Sequence, residues 1–201
     1  MVDTQIKPAL VKELRERTGA GFMDCKKALE STGGDIEAAV TLLREKGQAA
    51  AAGKAGRDAR EGLVSSYIHA GGRLGVLVEV NSETDFVARN DDFQKLVRDI
   101  AMQIAGMAPT YTTIESIPQD IVREKRATFL ADETVASKPE QIREKIVEGQ
   151  LAKWYKEVVL YEQTFRDTDQ TVGDLVTDAI ARIGENIRVR RFTRYQLGEE
   201  L

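Results

Sequence analysis

The chain has 201 residues, of which 42% are hydrophobic and 31% are charged, and its formal net charge is −4. This composition is typical of a soluble protein of one or two domains with no overall attraction to nucleic acid or anionic membranes. We expect no membrane span, because no apolar run approaches ~20 residues, and no signal peptide, because no cationic region precedes an apolar one. The single cysteine, Cys25, excludes an internal disulfide and fits a reducing compartment. These features predict a cytoplasmic protein.

Residues 1–47 predict three short helices that form a small bundle. Apolar residues recur at helical spacing in each segment, and glycines separate the segments. The second helix is predicted over Met23–Ser31. Asp35 is a suitable N-cap for a third helix over Ile36–Lys46, which Gly47 is expected to end. A bundle of this size has a thin core, so it suits a docking domain better than a catalytic one.

Residues 48–61 are predicted to be a linker, because they are rich in alanine and contain two glycines. The sequence leaves open whether this segment is helical or flexible. From residue 62 the pattern changes, and Leu63–His69 and Leu74–Val80 predict a β-hairpin with a glycine turn.

Further elements predicted after the hairpin are a helix over Asp91–Ala105, a helix from Pro118 to Asp132, a long helix beginning near Glu140, a helix capped by Thr171, and a strand over Ile187–Tyr195. Ser116 and Ser137 each precede a Gln or Glu by three residues, which predicts a capping box at the start of the two middle helices. A few mostly antiparallel strands covered by helices define an α+β domain, here over 62–201.

The segment Thr84–Val87 lies where the second strand of the hairpin is followed by the Asp91 helix. Rigidly held loops at such positions often carry function. Asp85 is followed directly by a large aromatic residue, Phe86. Judged from residue types alone, Asp85 would be an acid in a helix first turn and Phe86 a core residue, and this interpretation is favoured before any resemblance is considered.

Residues that could catalyse a reaction are scarce. His69 is the only histidine, and it is predicted to lie in a different domain from Cys25, so a nucleophile–base pair is not expected. A zinc site of Cys and His ligands would need more of either residue. The glycine-containing segments complete neither a dinucleotide fingerprint nor a phosphate loop. We therefore expect no enzyme, no bound metal and no cofactor.

Four arginines in the predicted last strand form the strongest basic cluster, namely Arg188, Arg190, Arg191 and Arg194. Together with neighbouring aromatic residues they could imitate a surface that binds single-stranded nucleic acid. On a strand, such charges more often form a solvated face. Because the whole chain is acidic, we expect no direct binding of nucleic acid and keep RNA binding as a minor hypothesis.

Two long motifs resemble the signatures of the bacterial elongation factor Ts family. The first spans Leu14–Leu29, and the second spans Val78–Ala88 and includes the segment Thr84–Val87. Shorter similarities occur at Tyr67–His69 and Gly184–Arg191. Two long motifs in the order of the family are more specific than any short pattern discussed above. The resemblance covers most of the chain.

The resemblance implies a guanine-nucleotide exchange factor for the translational GTPase elongation factor Tu. In that family, the segment matching Thr84, Asp85, Phe86 and Val87 displaces Mg²⁺ from the nucleotide site of the partner. Phe86 would insert between helices of the partner, and Asp85 would approach its metal site. No catalytic residue and no cofactor are implied for the chain itself.

Other contacts are implied in the same way. The N-terminal bundle resembles the ubiquitin-associated-like domain of the family, and Arg15, Phe22 and Met23 match its contacts with the partner. His69 matches a position that touches another domain of the partner, although it could equally be an ordinary strand residue.

One departure concerns the length of the chain. Longer members of the family have two homologous core lobes, whereas residues 62–201 have room for one. The resemblance therefore implies a homodimer in which a second copy supplies the other lobe. The main alternative to an exchange factor is a helical adaptor that uses the N-terminal bundle to hold a different partner.

Overall fold

The computed structural model describes residues 6–166 and 168–200, which form two compact units. The first unit contains the described residues up to Gly62, together with Asn81–Gln94 and Val176–Arg188. The second contains Leu63–Val80 and the described residues of Lys95–Leu175 and from Val189 onward.

In this part of the chain the helices are α1 (Pro8–Thr18), α2 (Phe22–Ser31), α3 (Ile36–Ala52), α4 (Asp85–Ala88), α5 (Asp91–Met107), α6 (Gln119–Ala131), α7 (Glu133–Ala136), α8 (Glu140–Val158) and α9 (Val172–Ile183). The strands are β1 (Glu61–Ile68), β2 (Leu74–Ser82) and β3 (Arg188–Gln196), and short 3-10 turns lie at Ile114–Ser116 and Leu160–Glu162. The predicted α+β class is confirmed.

Helices α1 to α3 pack as a bundle in the first unit. Its buried side chains come from all three helices: Val11, Leu14, Cys25, Ala28, Leu29 and Ala39. Helix α1 ends at Gly19, whose φ of 67° lies in the left-handed region that glycine adopts easily. The Asp35 side chain accepts a hydrogen bond from the backbone N–H of Ala38 at 3.0 Å, which confirms the predicted cap of α3.

Helix α3 is longer than predicted. It continues through Gly47 to Ala52, because the following alanines favour the helix strongly. Gly47 is buried, and a Cβ atom at this position would lie 3.4 Å from the Cβ of Ala181. Gly47 therefore faces α9 at van der Waals distance, and the prediction that it ends the helix is wrong.

The second unit contains most of a three-stranded sheet with the order β1-β2-β3. His69 donates its backbone N–H to the carbonyl of Leu74 at 2.9 Å, across a turn in which Gly71 and Gly72 have φ angles of 89° and 67°. The predicted hairpin is thus confirmed. Leu197 N–H donates to the carbonyl of Arg73 at 2.8 Å, so β3 runs antiparallel to β2.

The two faces of the sheet differ in exposure. Val76, Val78 and Val80 are buried, as expected for a strand with one face in the core. Exposed apolar side chains lie on the other face, namely Val64, Ile68, Leu77 and Tyr195. At one end of this exposed face, Glu79 forms ion pairs with Arg190 and Arg191. Two of the four clustered arginines therefore pair with an acid of the same sheet.

Helices α6, α7 and α8 pack on one another in the second unit around a core of Val135, Val147 and Leu151. Arg126 of α6 forms ion pairs with Glu144 and Glu148 of α8. These contacts explain why both helices carry charged residues on one side.

The helix starts of the second unit differ in part from the predictions. Ser116 closes the 3-10 turn with Thr113, and the starts of α6 and α8 at Pro118 and Pro139 have no side-chain cap. The two predicted serine capping boxes are therefore wrong, because a proline, which has no side-chain acceptor, occupies each N-cap position. Thr171 does cap α9: its hydroxyl accepts the N–H of Asp174 at 3.0 Å.

Candidate functional site

The segment Thr84–Val87 begins two residues after the end of β2 and forms most of the four-residue helix α4. It lies in the first unit. The carboxamide oxygen of Asn90 accepts the backbone N–H of Asp92 at 2.8 Å, so α5 begins immediately after this short helix. The predicted transition from strand to helix is therefore confirmed, with a separate helical turn between the two elements.

The side chain of Phe86 is 77% exposed. The interpretation of Phe86 as a core residue is therefore wrong, and Phe93, which is fully buried, is the aromatic core residue of this region. Ala88 is buried and fixes the end of the turn, while Val87 is partly buried. A large aromatic side chain held in water by a short, ordered turn is suited to entering a pocket on another molecule.

The Asp85 carboxylate is also accessible. It accepts a hydrogen bond from Arg89 at 2.9 Å, one helical turn further along the chain, and both side chains are exposed. Exposed pairs of this kind contribute little to stability. Asp85 can therefore exchange this partner for another group at small cost.

Glu185 holds the start of the turn. One carboxylate oxygen, Oε2, accepts the backbone N–H groups of Glu83 at 3.1 Å and Thr84 at 3.0 Å. The other, Oε1, accepts the hydroxyl of Thr84 at 2.6 Å. Sequence reasoning missed this residue because the contact spans 101 positions. The only available signal was that Gly184–Arg191 resembles the same family as the turn.

Glu83 makes the corresponding contact in the opposite direction. Its carboxylate accepts the backbone N–H of Asn186 at 2.6 Å and lies 3.5 Å from the guanidinium of Arg57. The side-chain amide of Asn186 donates to the carbonyl of Arg57 at 2.8 Å. The turn, the Gly184 segment and the chain that follows α3 are thus joined by one polar network in the first unit.

The three residues implied as contacts of the bundle also belong to the first unit. Phe22 and Met23 lie in the first turn of α2 and are 50% and 57% exposed, and Arg15 is exposed on α1. None of the three belongs to the buried core of the bundle. Their exposure leaves these side chains accessible to another molecule.

His69 lies in the second unit, directly after the first strand of the hairpin. It is exposed, and its Nδ1 atom lies 2.9 Å from the hydroxyl of Tyr67. This hydrogen bond orients the imidazole without burying it.

Residues 6–166 and 168–200 contain no group of three or more His, Cys, Asp or Glu side chains placed to hold a metal ion. None of the helices in these ranges is both long and apolar enough to cross a membrane.

An exposed aromatic residue beside an available carboxylate, on a turn braced by charged hydrogen bonds, is typical of a protein that docks on another protein. Comparisons with known proteins identify the family of the chain. Residues 24–199 match the family model described as "Elongation factor TS". The chain belongs to the elongation factor Ts family, a family of translation elongation factors, and the resemblance seen in the motifs is confirmed.

Similar proteins cover nearly the whole chain. Elongation factor Ts of Carboxydothermus hydrogenoformans is 56% identical over 98% of this chain and 91% of that protein. The corresponding factor of Coprothermobacter proteolyticus is 54% identical over 97% of this chain and 100% of that protein. A longer factor, from Synechococcus sp. strain JA-3-3Ab, is 60% identical over 96% of this chain and 70% of that protein.

Proposed function

We propose that this chain is a guanine-nucleotide exchange factor for elongation factor Tu. It binds the GDP-bound GTPase, displaces Mg²⁺ from the nucleotide site, and thereby releases GDP so that GTP can bind. Membership of the elongation factor Ts family supports the partner. The observation that carries the proposal is the position of Phe86, which is 77% exposed on a turn held from both sides.

Phe86 acts as the anchor of the complex. A rigid aromatic side chain that becomes buried between two elements of a partner supplies much of the binding energy of an interface. Because Phe86 is already exposed, its insertion requires no rearrangement of the core of this chain.

Asp85 acts on the metal site of the partner. Magnesium ions bridge the nucleotide phosphates and the protein in GTPases of this kind. Mg²⁺ requires nearly ideal octahedral coordination, so a carboxylate brought beside the site disturbs its ligands without having to hold the ion. Loss of the ion leaves the phosphate charge uncompensated, and GDP affinity falls.

Exchange by this route follows from linkage. A factor that binds the nucleotide-free GTPase more tightly than the GDP-bound form must weaken GDP binding by the same factor. No covalent bond is made or broken, so the chain is not an enzyme in the chemical sense and needs no cofactor. Thr84 and Val87 shape the turn, and Asp85 and Phe86 make the decisive contacts.

The remaining predicted residues act in docking. Residues 1–47 form the docking domain, in which Arg15, Phe22 and Met23 contact the nucleotide-binding domain of the GTPase. Residues 48–61, which include the end of α3 and the first residue of β1, connect it to the α+β core over 62–201, where His69 contacts another domain of the same partner. The protein acts in the cytoplasm, where translation takes place.

The chain acts as a homodimer, with the exposed apolar face of the sheet as the contact between copies. Leu77 and Tyr195 on that face are exposed in the single chain. Light scattering after gel filtration should give twice the chain mass of 22.3 kDa. Leu77→Glu should give the single mass, whereas the same change at Ile142, an exposed residue of α8, should not. A single mass for the unaltered protein would contradict the dimer.

The direct test of the exchange function is release of a fluorescent GDP analogue from elongation factor Tu. Catalytic amounts of this protein should accelerate release many-fold. If the folded protein causes no acceleration and does not bind the GTPase, the helical adaptor becomes the better hypothesis. Steeply salt-dependent RNA affinity would instead favour the nucleic-acid alternative.

A further inference from the structure

We propose that Glu185 is a positioning residue that holds Thr84–Val87 in the conformation that displaces the magnesium ion of the partner. The inference rests on the proposed exchange function. It assigns a role to a side chain outside the turn, in the segment between α9 and β3.

The contacts of Glu185 are concentrated on the residues immediately before Asp85. Strand β2 ends at Ser82, and the next two backbone N–H groups, those of Glu83 and Thr84, both donate to Oε2 of Glu185. The Thr84 hydroxyl donates to Oε1 at 2.6 Å. A single carboxylate thus fixes the backbone and the side chain of Thr84, and hydrogen bonds to a charged acceptor are about twice as strong as neutral ones.

The arrangement is reciprocal. While Glu185 accepts the N–H of Glu83, the Glu83 carboxylate accepts the N–H of Asn186 at 2.6 Å. Glu185 therefore binds the backbone of Glu83, and Glu83 binds the backbone of the residue that follows Glu185. The guanidinium of Arg57 lies 3.5 Å from the Glu83 carboxylate and offsets its charge, and Asn186 donates a hydrogen bond to the carbonyl of Arg57. We call these two glutamates, with Arg57 and Asn186, the glutamate clamp.

The turn needs such a clamp because its functional side chains point into solvent. Phe86 is 77% exposed, so core packing does not fix its direction. The buried Ala88 anchors the end of the turn, and the clamp anchors its beginning. Displacement of a metal ion depends on placing Asp85 and Phe86 accurately, and small errors of position reduce such effects strongly.

The test compares Glu185→Ala, Glu185→Gln and Glu115→Gln in the release of fluorescent GDP from elongation factor Tu. Glu115 is an exposed acid on the 3-10 turn of the second unit, so its replacement is a matched control for charge. We expect Glu185→Ala to lower the maximal rate by at least about tenfold. The half-saturating concentration should also rise, but by less than the roughly 30-fold expected for removal of the Phe86 ring, because that ring and the exposed bundle residues are still present.

Two further results separate positioning from a general loss of structure. Glu185→Gln keeps an acceptor oxygen for the two N–H groups, so it should retain a rate within about threefold of the unaltered protein. With Mg²⁺ removed by a chelator, the defect of Glu185→Ala in the maximal rate should disappear, because no ion remains to be displaced. A defect in this rate that persists without Mg²⁺ would overturn the proposal.

Hydrogen exchange of the backbone amides provides a readout that does not depend on the partner. The Glu83 and Thr84 amides should be protected in the unaltered protein and in Glu115→Gln, and should exchange faster in Glu185→Ala. Unchanged protection of these two amides in Glu185→Ala would show that Glu185 does not hold them, and would overturn the proposal.

The inference and the proposed function fail in distinguishable ways. If the unaltered protein accelerates GDP release and Glu185→Ala does so equally well, the clamp is wrong and the exchange function stands. If the unaltered protein causes no acceleration, the exchange function is wrong, and the role assigned to Glu185 is wrong with it.

Discussion

The Asp85 carboxylate accepts a hydrogen bond from the Arg89 guanidinium at 2.9 Å, and the two side chains are 51% and 76% exposed. An ion pair in this environment contributes about 0–1 kcal/mol to stability. The pair therefore orients the Asp85 carboxylate in the free protein but holds it only weakly. A partner that offers a metal site or a better donor can take the carboxylate from Arg89 at small cost.

Replacement of these two residues should affect exchange very differently. Asp85→Ala should slow GDP release from elongation factor Tu by about tenfold, because the group that disturbs the metal site is lost. Arg89→Ala should give a rate within about twofold of that of the unaltered protein, since only a weak surface ion pair is removed. Stopped-flow fluorescence at fixed Mg²⁺ concentration measures both rates. An equal loss in the two variants would show that Arg89 itself contacts the partner.

Phe86→Ala should weaken the complex without destabilising the protein. Because Phe86 is 77% exposed, the free energy of unfolding should change by less than about 0.5 kcal/mol. Binding should weaken by about 2 kcal/mol or more, which corresponds to roughly 30-fold. Calorimetric titration with nucleotide-free elongation factor Tu and a thermal melt measure the two quantities.

The buried Phe93 is the matched control for this prediction, because Phe93→Ala removes the same ring from the core of the first unit. Its replacement should lower stability by about 3–5 kcal/mol. If Phe86→Ala binds and exchanges as well as the unaltered protein, the assignment of the turn is wrong.

The sequence predicted most elements because local periodicity determines them. Alternating apolar residues identified the hairpin, and helical spacing identified the bundle. The end of α3 was misplaced at Gly47, because the sequence does not show that this glycine faces Ala181. Glycine within a helix is unfavourable on its own, so the local sequence favours an end at this position although the helix continues to Ala52.

The site was predicted only in part, for a similar reason. Residue types alone placed Phe86 in the core, and the structure exposes it and buries Phe93 instead. Both phenylalanines lie near the start of α5, so the composition of this segment does not distinguish them. Glu185 was missed because its partners lie about a hundred positions away in the chain. Contacts between residues so far apart in the chain depend on the overall fold, and the periodicity of the sequence does not reveal them.

Leu14→Ala should destabilise the bundle. Leu14 is fully buried among side chains of α1, α2 and α3, and such replacements cost about 2–5 kcal/mol. Lys12→Ala, an exposed change on the same helix, should alter stability by less than about 0.5 kcal/mol. Hydrogen exchange of amides in α2 reports the stability of the bundle directly. Equal protection in the two variants would contradict the packing described here.

The contact between Arg17 and Glu37 should be visible in a titration. The two side chains form an ion pair at 2.7 Å between α1 and α3. The hydrogen bond from Arg17, and then its positive charge, lower the pKa of the Glu37 carboxyl below its ordinary value. A lowered pKa in the folded state means that the contact stabilises the bundle above the pKa of the unfolded chain. That stabilisation is lost as the pH falls through the pKa that Glu37 has in the folded protein.

Carbon-detected NMR of the Glu37 carboxyl between pH 2 and 7, a range that spans the ordinary glutamate pKa of about 4.3, measures this shift. In Arg17→Ala the pKa of Glu37 should rise at least to its ordinary value, because both causes that lower it are removed while the charge of Asp35, which raises it, remains. Lys12→Ala serves as the control, since Lys12 pairs with Glu16 on the same helix. It should leave the pKa of Glu37 low. A Glu37 titration that is the same in Arg17→Ala and in the unaltered protein would show that the ion pair does not form in solution.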